Sequence, residues 1–118
     1  MGITFVEGTV RGPAGEEATV QFLVDSGATY SLLPKEVWEA IGLEPKREQR
    51  FVLADGTTVR RQISECLVIL PQGEAHTPVV LGEASDAQAL LGVVTLEEMG
   101  VLFNPFSRTL HPMRMFLA

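Results

Sequence analysis

Short apolar runs alternate along this chain with clusters of Gly, Pro and small polar residues, and only two brief stretches carry a helical period. Residues 3–10 set Ile3, Phe5 and Val10 among polar neighbours, which predicts a half-buried strand with its apolar side chains turned inward. Arg11-Gly12-Pro13-Ala14-Gly15 reads as a turn, and residues 18–24 return as a second strand that delivers Asp25. Tyr30-Ser31-Leu32-Leu33 continues extended, because a residue that precedes proline is kept out of the helical region. Pro34 then opens a short helix through Ile41, with Pro34 at its first position and Gly42 as its stop. Val37, Trp38 and Ile41 share one side of it, with Trp38 as a core anchor.

Residues 48–54 and 57–70 flank Asp55-Gly56, a dipeptide that predicts the positive-φ turn of a two-residue hairpin. The outgoing arm is polar from Thr57 to Gln62 and continuously apolar from Cys66, so the hairpin tip should project away from the core. Pro71-Gln72-Gly73 turns the chain, Thr77–Gly82 is a further strand, and Gly82–Asp86 is loop. After Leu90-Leu91-Gly92 comes a second short helix, with Thr95 and Glu98 as a capping box and Gly100 as its stop. Val101–Phe103, a turn at Asn104-Pro105 and Arg108–Leu110 make a last hairpin. The apolar tail of Met113, Met115, Phe116 and Leu117 should pack on something, and a partner subunit is a candidate. With no repeat or linker, residues 1–118 read as one all-β domain with two short helices.

Composition narrows the function. A net charge of −6, from 15 acidic and nine basic residues, argues against nucleic acid or an anionic membrane surface as partner. One cysteine, Cys66, excludes an intramolecular disulfide framework, and its apolar run predicts a buried, inert thiol. No apolar run approaches the roughly 18 residues of a membrane span. The first residues lack the pattern of a signal peptide, so the expected location is cytoplasmic. His76 and His111 each stand alone, without a cysteine or acid at ligand spacing, so no metal site is expected.

The candidate chemistry is carried by Phe22-Leu23-Val24-Asp25-Ser26-Gly27-Ala28-Thr29. A buried strand that runs straight into a carboxylate is costly unless that acid is hydrogen-bonded or put to use. Gly27 lets the chain turn and brings backbone N–H groups close to the acid. Asp-Ser-Gly alone is also a common turn tripeptide. Its weight comes from two later elements in order: Leu53-Ala54-Asp55-Gly56-Thr57, which reads as a hairpin tip, and Ala89-Leu90-Leu91-Gly92, an apolar run closed by glycine.

Together, these three stretches resemble the retropepsin-like aspartic proteases over roughly residues 3 to 112. The resemblance implies a closed, barrel-like fold with one lobe per chain. It also implies roles: Asp25 as the catalytic acid, Ser26, Gly27, Ala28 and Thr29 as the active-site loop, and Ala54, Asp55, Gly56 and Thr57 as a flap over substrate. Leu90, Leu91 and Gly92 would support the catalytic loop from beneath, and Ser26 would lock it to a partner's backbone. No metal or organic cofactor is implied. Many viral members carry an acid where Thr29 stands and an arginine where Val93 stands. Both are absent here, as in cellular and bacterial relatives, so the ion pair they form near the dimer interface cannot exist.

Hydrolysing a peptide bond at such a site needs two acids, one ionised to take a proton from water and one protonated to bond the carbonyl. Carboxylates about 3 Å apart share a proton and titrate as a pair. The chain holds one Asp-Ser-Gly, so the expected enzyme is a symmetric homodimer that cleaves a peptide or protein substrate with Asp25 from each copy. The competing reading is a non-catalytic dimerisation or peptide-binding module on the same fold. A small, unrelated β-barrel binding protein would require all three motifs to coincide by chance.

Overall fold

The computed structural model describes residues 3–118, and nine strands and two short helices lie within them. In order they are β1 (Phe5–Arg11), β2 (Glu17–Val24), β3 (Ser31–Leu33), α1 (Lys35–Ala40), β4 (Arg47–Val52) and β5 (Thr58–Leu70). Then follow β6 (Gly73–Leu81), β7 (Ala89–Leu91), α2 (Val93–Met99), β8 (Val101–Asn104) and β9 (Thr109–Pro112). The large sheet runs β1-β2-β7-β3-β6-β5-β4, and a further β1–β5 pairing joins its ends. Six strands thereby close into a barrel, which removes their free edges, while β4 remains outside as an edge strand beside β5. This is the expected all-β, barrel-like fold with two short helices. The β8–β9 hairpin forms a separate two-stranded sheet.

The barrel is filled by inward side chains of alternating strand positions. Val10, Phe22, Leu33, Ile41, Val68, Val79 and Leu91 are wholly excluded from solvent. Val37 and Trp38 pack against this core from α1, and the Trp38 indole N–H donates to the Gly82 carbonyl at 2.9 Å. Trp38 is thus an anchor, as its helical spacing predicted.

The first strand corrects the sequence reading. Ile3 and Phe5 are exposed, whereas Val10 is buried as expected, and the inward face of β1 carries Val6 and Gly8 beside it. The reason lies at Gly8, where a Cβ would come within 2.7 Å of the Leu70 side chain and 2.9 Å of the Ile69 carbonyl. A glycine fills this inward position because the neighbouring strand β5 leaves no room for a side chain, and it hides the phase of the strand.

Both helix starts also differ from expectation. Pro34 is the N-cap of α1, with an extended ψ of 153°, rather than its first helical residue. Helix α2 begins at Val93, two residues before the expected capping box, and Gly92 is its N-cap. Thr95 is buried inside the first turn and spends its hydroxyl elsewhere. The glycine stops were read correctly: Gly42 and Gly100 take φ of +75° and +70°.

Candidate active site

Strand β2 carries the chain to Asp25 between two neighbours that cannot move freely. Val24 is buried and pairs with Leu91 in the parallel β2–β7 ladder. The Asp25 amide donates to the Leu91 carbonyl at 3.0 Å, which extends that ladder to the acid itself. The Ala28 amide closes a tight turn onto the Asp25 carbonyl at 3.1 Å. The Gly27 amide donates to Asp25 Oδ1 at 2.9 Å, so the half-buried carboxylate has a fixed partner. Gly27 does not adopt a left-handed φ. It is needed for close approach, since a Cβ there would meet Asp25 Oδ1 at 3.3 Å.

The loop is held from beneath by the start of α2. The Val93 amide donates to the Ala28 carbonyl at 2.9 Å, and the Val94 amide to the Thr29 carbonyl at 3.0 Å. A helix begins with N–H groups that lack partners in the helix. Here the Asp25 loop supplies them, so α2 needs no side-chain cap and the Thr95 hydroxyl is free for another use. That use is a buried chain of hydroxyls. Thr95 Oγ1 lies 2.6 Å from Ser31 Oγ and 2.9 Å from Thr77 Oγ1, and Ser31 Oγ accepts the Gly92 amide at 3.0 Å. All three side chains are buried. Gly92 itself admits no side chain, because a Cβ would lie 2.5 Å from the Tyr30 carbonyl carbon.

Asp25, Gly27, Ala28, Thr29 and Leu90 line a cleft of about 830 Å³. Leu32, Val80 and Leu90 make an apolar wall within it, and Gln49 to Ala54 come to it from β4 and the start of the hairpin loop. The predicted hairpin thus stands across the same cleft as Asp25. Of its predicted residues, Ala54 lines the cleft, whereas Asp55, Gly56 and Thr57 lie beyond the lining. Ser26 sits exposed on the Asp25 loop, also outside the lining. Leu91 is a core residue, and Gly92 acts through its backbone.

The tip is not the two-residue turn expected. The Gly56 amide donates to the Leu53 carbonyl at 2.9 Å and the Leu53 amide to the Thr57 carbonyl at 2.7 Å, which leaves a three-residue loop of Ala54, Asp55 and Gly56. Gly56 alone there has a positive φ, +88°. Asp55 keeps an ordinary conformation because its carboxylate accepts the Thr57 hydroxyl at 2.6 Å and the Thr57 amide at 3.0 Å. The Thr57 hydroxyl, then its amide, hold the Asp55 carboxyl below its ordinary pKa of 3.8. Away from the site, burial pushes the Cys66 thiol up to about 12, in keeping with an inert core residue.

A second connection was not foreseen. Arg47, Gln49 and Phe51 alternate along β4 and therefore share a face. The Arg47 guanidinium donates to the Tyr30 hydroxyl at 2.8 Å and to Gln49 Oε1 at 3.0 Å. It also lies 5.5 Å from the Tyr30 ring centroid, and Phe51 meets that ring edge-on at 5.9 Å. One tyrosine, at the end of the Asp25 loop, ties the edge strand to the opposite wall. Its only trace in the sequence is the alternation of 47, 49 and 51. The Ser31–Thr95–Thr77 chain left none, since its members lie 64 and 18 residues apart.

A strand-borne acid in a cleft, on a closed six-stranded barrel with a hairpin beside it, is the architecture of a retropepsin-like aspartyl protease. The sequence model of the family described as "gag-polyprotein putative aspartyl protease" matches residues 14–98, and the chain belongs to that family. A search of curated proteins found no match. No helix among the described residues is long and apolar enough to cross a membrane.

Proposed function

We propose that this chain is one half of an aspartic endopeptidase, and that a symmetric homodimer brings Asp25 of each copy together as the catalytic dyad. The observation that carries this reading is the mounting of Asp25: a half-buried carboxylate at a cleft, oriented by the Gly27 amide, on a residue whose own backbone amide donates to the Leu91 carbonyl. The other acid lining that cleft, Asp86, is otherwise engaged. Its Oδ2 accepts the Glu83 amide at 2.8 Å and stands 3.8 Å from Arg61. One chain therefore supplies one available acid, and the reaction needs two.

In the dimer, the ionised member of the pair takes a proton from a bound water, whose oxygen attacks the peptide carbonyl carbon. The protonated member donates to the carbonyl oxygen as the tetrahedral intermediate forms, and a proton then passes to the leaving nitrogen as the C–N bond breaks. The β4–β5 hairpin acts as a flap that covers the bound peptide and excludes water. The exposed side chains of Met115, Phe116 and Leu117 support an interface that includes the C-terminal tail.

The test is a dilution series of peptidase activity beside sedimentation, with Asp25→Asn as control. Specific activity should fall in step with the dimer fraction, and Asp25→Asn should lose at least about a thousandfold in rate with its melting temperature unchanged or raised. A fully active monomer, or an active Asp25→Asn protein, overturns the proposal. An inactive wild-type dimer that still binds peptides leaves the non-catalytic module as the correct reading.

A further inference from the structure

The positive charge of this acidic chain is not spread evenly. Residues 46–61, the two arms and tip of the β4–β5 hairpin, hold five of the nine basic residues and two of the 15 acids. The hairpin therefore carries +3, and the four bases and 13 acids elsewhere leave the rest of the chain at −9. That hairpin borders the Asp25 cleft. A chain with no other concentration of cations presents its strongest one beside the site where a peptide would lie.

Within the hairpin the cations divide into two sets. Arg60 pairs with Glu48 at 2.9 Å, Arg61 faces Glu83 at 3.5 Å and Asp86 at 3.8 Å, and Lys46 lies 4.0 Å from Glu65. Arg47 and Arg50 make no ion pair among the described residues. Arg50 is among the residues lining the cleft, on the β4 face opposite to that of Arg47, which stands outside the lining. Arg47 is held by two neutral groups that line the cleft, the Tyr30 hydroxyl and the Gln49 amide oxygen. These contacts orient the guanidinium without neutralising it. Two of its five N–H groups are used, and the rest are available to a planar, charged acceptor.

We infer that the cleft selects peptides carrying glutamate or aspartate beside the apolar residues that Leu32, Val80 and Leu90 accommodate, with Arg47 and Arg50 as the groups that bind the acidic side chains. The inference rests on the reading of the cleft as a peptide site. An acidic peptide gains twice: it is drawn, over the length of the screened field, to the two arginines that no acid pairs, and it forms charge-assisted bonds once bound. A basic peptide is repelled by the same wall. Asp86 and Glu83 do not offset this preference, because Arg61 already stands against both.

The test uses the full chain with Asp25→Asn, so that binding is read without cleavage. Three fluorescein-labelled octapeptides share a Leu-Phe centre and differ only in carrying Glu, Gln or Lys on both flanks. Fluorescence anisotropy should give the Glu peptide an affinity about tenfold above the Gln peptide at low ionic strength, with the Lys peptide weakest. Raising the salt to about 0.5 M should shrink that ratio, since exposed charges are then largely screened. Adding Arg47→Gln and Arg50→Gln should bring the Glu-to-Gln ratio to about one, and reversing both to Glu should put the Lys peptide first. Equal binding of Glu and Gln peptides, or a preference that survives loss of both arginines, overturns the inference and leaves the protease reading intact. Failure to bind any of the three peptides counts against both.

Discussion

Two regions face each other across the cleft, and they are built in opposite ways. The loop from Asp25 to Tyr30 lies between buried residues, Val24 on one side and Ser31 on the other. The backbone of Asp25, Ala28 and Thr29 is bonded to β7 or α2. The β4–β5 hairpin has no buried residue in β4, is exposed from Leu53 through Thr58, and pairs at its edge strand with β5 alone. The difference suits the proposed roles. A reacting carboxylate would lose rate if displaced by an ångström, and short backbone bonds hold Asp25 in place. A flap would have to open, and a segment with few buried contacts opens at low free-energy cost. The Tyr30 cluster is the exception that joins the two, a bolt from the rigid side to the loose one.

The sharpest way to break the contrast is to disturb the rigid side. Gly92→Ala places a Cβ 2.5 Å from the Tyr30 carbonyl carbon and 2.6 Å from its oxygen, where only backbone could yield. Urea unfolding should show a loss of about 3 kcal/mol, at the upper end of overpacking effects. A smaller loss would mean that the Asp25 loop is less tightly seated on α2 than its hydrogen bonds indicate.

Next in size is Thr95→Val, which preserves shape but removes the hydroxyl shared by Ser31 and Thr77. Two buried hydroxyls then lose a partner, at a cost of about 1–3 kcal/mol. Amide exchange at Gly92 and Asp25 should quicken while the hairpin tip is unaffected. Equal acceleration at both places would erase the distinction drawn here.

The bolt itself should matter less to stability and more to motion. Tyr30→Ala removes the aromatic pair and the Arg47 hydrogen bond, for about 1 kcal/mol of global stability. Amide exchange along residues 47–53 should rise about tenfold, because local opening depends on just such contacts. Tyr30→Phe, which keeps the ring and loses the hydroxyl, should fall between wild type and Tyr30→Ala. No change in either variant would show that β5 alone holds the arm.

The smallest effect belongs to the exposed tip. The Asp55 carboxyl is held below 3.8 by Thr57, so its ionised form favours the folded loop. That contribution is fully present above 3.8 and disappears as the pH falls through the lower folded value. An NMR titration should show the Thr57 amide shifting in that acidic window in wild type and losing the response in Asp55→Asn. The Asp25 loop should keep its structure in that variant, since Asp55 lies outside the cleft lining.

Much of this architecture was legible in the chain. Asp25 at the end of an apolar strand, the ordered company of Asp-Ser-Gly, Asp-Gly and Leu-Leu-Gly, and the glycine stops at Gly42 and Gly100 are local signals. Local signals arise where a residue's own backbone preference decides the outcome. Where they misled, a distant neighbour had intervened. Gly8 holds an inward position of β1 where Leu70 and Ile69 leave no room for a side chain, so the face shared by Val6 and Val10 shows no apolar residue between them.

Thr95 and Glu98 have the spacing of a capping box, yet the amides such a box would serve are already used by Ala28 and Thr29. The sequence by itself determined the strand-rich class, the acid and the turn that presents it, because these depend on residues a few positions apart. Only the tertiary structure decided which hydroxyls would meet in the core, that Tyr30 would reach Arg47 and Phe51, and that the chain's cations would border the cleft. Those are consequences of barrel closure, which joins positions whose separation along the chain no local preference can record.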